Sequence, residues 1–138
     1  MSTLRDRLRA LYPEASGRSL KQWIVARALA LRRLLPEVFS TGSYQPLAAR
    51  GAMARHVLAF ARRAGNDAVF VVVPRLPNAL TMQPGGVAFA APAWKDTSVE
   101  LPDLPLFDVL RGSQRPTSAA LRDILAAVPV ALFSTRAR

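Results

Sequence analysis

Residues 55–74 read RHVLAFARRAGNDAVFVVVP, and the pattern of this stretch decides the fold. In its first half His56, Leu58, Phe60 and Arg62 alternate with Val57, Ala59 and Ala61, the two-residue period of a strand whose faces differ. In its second half Ala68 to Val73 is apolar on both faces and rich in β-branched side chains, which suits a strand covered on both sides. Between them, Gly65 and Asn66 in Ala64-Gly65-Asn66-Asp67 tolerate the positive φ of a tight reversal. The stretch is therefore expected to be a β-hairpin, ended by Pro74, which has no N–H for a ladder. A hairpin alone is marginal in water, so the rest of the chain must cover it.

Upstream, Leu4, Leu8 and Leu11 recur at helical spacing among Arg5, Asp6, Arg7 and Arg9, which predicts a short amphipathic helix or a frayed arm ended by Pro13. Ser19 can cap a second, better-defined helix running to Leu35. Its wide apolar face holds Leu20, Trp23, Ile24, Leu31, Leu34 and Leu35, opposite Lys21, Gln22, Arg32 and Arg33. Two details break the pattern: Arg27 sits within the apolar face, and Val25 and Leu29 sit among the charges. This is either an ordinary core helix or a helix part of whose partner surface lies outside the chain. Pro36 ends it, and Tyr44 to Ala48 is expected to be an edge strand, because Pro46 bars it from the middle of a sheet.

Downstream, Arg75 to Gly86 reads as a loop with Pro77, Pro84 and the Gly85-Gly86 pair. Short strands are expected at Val87–Ala90, Thr97–Leu101, Leu106–Leu110 and Val128–Phe133, with a short helix over 118–127 capped by Ser118. Strands at such spacing, separated by Pro and Gly turns, predict a mainly β chain, an antiparallel β-sandwich or barrel preceded by one or two α-helices. The division expected is a helical segment over 1–36 and a β-sandwich domain over 37–138.

A chain of 138 residues suits one domain with a real core. It has no Cys, which excludes disulfides and thiolate metal sites and fits a reducing, cytoplasmic setting. No apolar run approaches the ~20 residues of a membrane span, so no membrane partner is expected. The formal charge of +10 invites a nucleic-acid reading, but the arginines are scattered among abundant Ala, and a composition bias explains them better than a binding footprint.

Catalytic chemistry is hard to place. The single imidazole, His56, lies on the face of Leu58 and Phe60 with no nucleophile near it in sequence, and reads as a core or rim residue. One His and no Cys leave little for zinc, and the Gly85-Gly86 pair lacks the strand-before, helix-after setting of a phosphate loop. Glycoside chemistry needs two carboxylates facing across a sugar, about 5 to 10 Å apart. Asp96 and Glu100 beside Trp94 form the one cluster capable of meeting a carbohydrate, and a strand-end turn explains them as well.

The run Ala28 to Phe39, followed by Gly42-Ser43-Tyr44-Gln45-Pro46-Leu47, resembles the last barrel helix and following strand of the α-amylase superfamily. His56 to Arg62, Val71 to Leu76, Trp94-Lys95-Asp96-Thr97 with Val99-Glu100-Leu101-Pro102, and Pro129 to Leu132 together resemble the C-terminal end of malto-oligosyltrehalose synthases. The resemblance covers residues 18–134. It implies an α-amylase-type C-terminal β-sandwich and, for the family, rearrangement of the reducing-end α-1,4 linkage of maltodextrins to α,α-1,1 by a nucleophile and an acid/base on a (β/α)8 barrel. No stretch here matches the barrel motifs that carry those carboxylates, so no catalytic residue, metal or cofactor is implied. What it implies is a structural domain whose partner is the catalytic barrel missing from this chain, or a second copy of itself, met through Trp23, Ile24, Arg27 and Leu31. The alternatives are a free-standing carbohydrate-binding module, with Trp94, Asp96 and Tyr44 as possible maltodextrin contacts, and, less favoured, a basic nucleic-acid-binding domain.

Overall fold

The computed structural model describes residues 17–75, 94–115, 119–125 and 130–136. The hairpin is there in full: β3 (Val57–Ala64) and β4 (Asp67–Pro74) pair antiparallel from Val57↔Pro74 to Ala64↔Asp67. Of the two turn residues only Gly65 takes a positive φ, +59°. A single positive φ at the first central position is the habit of the type II′ hairpin turn, so Asn66 is not needed in the left-handed region expected for it.

β4 lies inside a six-stranded antiparallel sheet of order β1-β3-β4-β8-β6-β7. In it β1 is Ser43–Pro46, β6 Phe107–Asp108, β7 Ser113–Gln114 and β8 Ala131–Ser134. As its proline requires, β1 is an edge strand. A second sheet pairs β2 (Ala49–Arg50) with β5 (Ser98–Val99).

The register sorts side chains onto two faces. Ala61↔Phe70↔Phe133 and Ala59↔Val72↔Ala131 share one face with Trp94, Val99, Leu106, Leu121 and Leu125, all buried. Ala59 and Ala61 leave room beside Phe70, whose complete burial is worth about 1.5–3 kcal/mol. Val69 and the Val71↔Leu132 pair point the other way, against Trp23 and Leu31 of α1 (Gly17–Leu34), Leu35, and Val38 of α2 (Pro36–Ser40). The mainly β architecture with helices before it is as expected. The second sheet is small, and its side of the core is completed by α3 (Leu121–Ile124) and the Trp94 turn.

Pro36 ends α1 and opens α2 at its first turn, because a proline's missing N–H costs nothing there. The sequence pattern missed α2, β2 and β7, which are too short to show periodicity. It also overran β5, β6 and α3. The strand expected at 87–90, the helix at 4–12 and the Ser118 cap lie outside the described residues.

Gly42 lets α2 run into β1. A Cβ there would collide with the Val38 carbonyl oxygen and lie 3.0 Å from that of Arg63, and both are backbone atoms that cannot swing aside. Gly42→Ala is expected to destabilise the fold by roughly 1–3 kcal/mol, read as a lower urea midpoint at unchanged slope.

Asp108 on β6 is buried. Its Oδ1 accepts the Arg111 N–H at 3.0 Å, and Arg111 Nε stands 3.6 Å from Oδ2. Burial nonetheless pushes its carboxyl above the ordinary 3.8, outweighing those two contacts. Above that ordinary value the unfolded chain releases its proton before the native one does, so this group subtracts stability as pH rises through its native pKa. Urea melts of Asp108→Asn and parent from about pH 4 upward should show the difference shifting toward the variant; a constant difference would show that Asp108 does not titrate in that way.

Candidate docking surface

The candidate sugar contacts are not brought together. Trp94 is fully buried in the cluster shared with Phe70 and Phe133, so its indole is core and offers no platform to a ligand. The turn it opens is a clamp: Asp96 Oδ1 accepts the Ala52 N–H at 3.0 Å, and Thr97 Oγ1 accepts the Met53 N–H at 2.9 Å. The Thr97 carbonyl takes the Leu121 N–H at 2.9 Å, and Lys95 enters the left-handed region at φ 51° to make the bend. One turn thereby ties together the 51–53 loop, β5 and α3. Glu100 pairs with Arg50 across the small sheet. His56 is buried beside Val57 in a 3-10 turn, Ala54–His56. Among the described residues no group of three or more His, Asp or Glu is placed to hold a metal ion, and no helix is long and apolar enough to cross a membrane.

Tyr44 sits on the opposite face of the sheet from Trp94. It pairs with Arg62, and Pro46 pairs with Phe60, so Tyr44 and Phe60 share the helical face. Their rings are 5.2 Å apart and tilted by 33°, within the range of favourable aromatic pairs. The helices cover β4 and β8 but leave this edge open: Tyr44 is 58% and Leu58 42% exposed.

The wide apolar surface of α1 is accounted for in two parts. Trp23 and Leu31 are buried against the chain's own sheet, and Ile24 is half-buried there. Arg27 snorkels out of that face with its guanidinium 5.6 Å above the Trp23 ring, a cation–π contact in place of a carboxylate partner. Among the described side chains of α1 the large apolar ones left in solvent are Val25 and Leu29, each 46% exposed. They stand one turn apart between Arg32 and Arg33 on the helical wheel. The signal for them was in the sequence, as two apolar residues on an arc of charges.

Compared with known proteins, the chain is 35% identical over 110 residues to proteins of two Mycobacterium tuberculosis strains, H37Rv and CDC 1551, that carry the name maltooligosyl trehalose synthase. A solved structure of maltooligosyltrehalose synthase from Arthrobacter ramosus superposes on 83% of the chain at TM-score 0.64 and 36% identity. The chain is therefore similar to one part of maltooligosyltrehalose synthases. A point mutant of the Arthrobacter enzyme covers 94% of the chain at TM-score 0.65 and 31% identity. The match is one-sided: the chain spans 13% of the length of the Mycobacterium synthases and 13% to 16% of the Arthrobacter synthase chains. No family model matches it.

The clamp gives a test of the core assignment. Thr97→Val keeps the shape but leaves the Met53 N–H without its acceptor, at a cost of about 1–3 kcal/mol, while Thr97→Ser restores the acceptor. Chemical denaturation should rank parent and Thr97→Ser together above Thr97→Val; equal stability of all three would show that the hydroxyl holds nothing.

Proposed function

We propose that the chain is the C-terminal accessory domain of a maltooligosyltrehalose synthase, and that residues up to 36 correspond to the last helix of the catalytic barrel and residues 37–138 to the domain that follows it. Its work is to cap a barrel supplied by other polypeptide, in the cytoplasm, while the nucleophile and acid/base of the family's transglucosylation reside on that barrel. The observation that carries this reading is a fold match at 36% identity over 83% of this chain that takes up only 13% of the matched synthase. The buried positions of Trp94 and His56 support it, because both side chains serve the core.

A free-standing carbohydrate-binding module is favoured by one feature, the exposed Tyr44 stacked near Phe60. Against a nucleic-acid role, the exposed arginines lie on both sides of the large sheet, Arg32 and Arg33 on α1 and Arg50 and Arg122 on the other layer.

The test is conversion of maltopentaose to a non-reducing product, followed as loss of reducing ends. The 138-residue chain alone is expected to be inactive. Adding a barrel-bearing synthase polypeptide truncated before the matching segment is expected to restore conversion. Activity of the isolated chain would overturn the proposal, and calorimetric binding of maltodextrin that Tyr44→Ala abolishes would favour the module instead.

A further inference from the structure

We draw no further inference here: the strongest candidate, the open patch of Tyr44, Phe60 and Leu58 on the helical face of the large sheet at its β1–β3 edge, carries none because nothing in the structure shows what covers it.

Discussion

The two-sided burial of β4 is the constraint on which the rest of this structure depends. Ala68, Phe70 and Val72 must leave water on one side and Val69 and Val71 on the other, so a single sheet with one solvated face cannot satisfy the sequence. Everything placed around β4 answers that demand. Alanines of β3 make room beside Phe70, Phe133 of β8 meets it from the other flank, and Trp94 with Leu121 and Leu125 closes the layer. On the reverse side Trp23, Leu31, Leu35 and Val38 form the lid. The helices are therefore part of the same core logic as the sheet, although they precede it in the chain.

This arrangement explains why the domain can be stable and still have exposed apolar surface. Only part of the sheet's helical face is roofed, so Tyr44 and Leu58 at the β1–β3 edge remain open. Only part of the helix's circumference is used, so Val25 and Leu29 remain open. Two scattered apolar side chains would call for no explanation on an ordinary surface. A pair one turn apart, on a helix without a single carboxylate, stands out from that background.

The hairpin, the edge character of β1 and the break at Pro36 could be read from residues alone, since alternation, two-sided hydrophobicity and proline act locally. The family resemblance was legible for the same reason that it is specific: an ordered set of short motifs falls on core strands and on the Trp94–Thr97 clamp. What could not be read was which face each motif served. Trp94 beside Asp96 resembles a sugar contact in sequence, whereas the fold turns the indole inward and spends the carboxylate on the Ala52 N–H. Trp23 and Leu31 suggested an open interface because the helix alone does not reveal how much of it the sheet will cover. β2 and β7 have two residues each, a length at which only long-range pairing, and no pattern, defines a strand.

The central claim is that the chain's helix is held by its own sheet on one side and by other polypeptide on the opposite side. Native-state hydrogen exchange of the 138-residue chain, with and without the barrel-bearing polypeptide, addresses it most directly. The account predicts that β4 amides exchange slowest in both states, while α1 amides are less protected alone and slow markedly in the mixture. Protection of α1 equal to that of β4 in the isolated chain, with no change on adding the barrel, would contradict it.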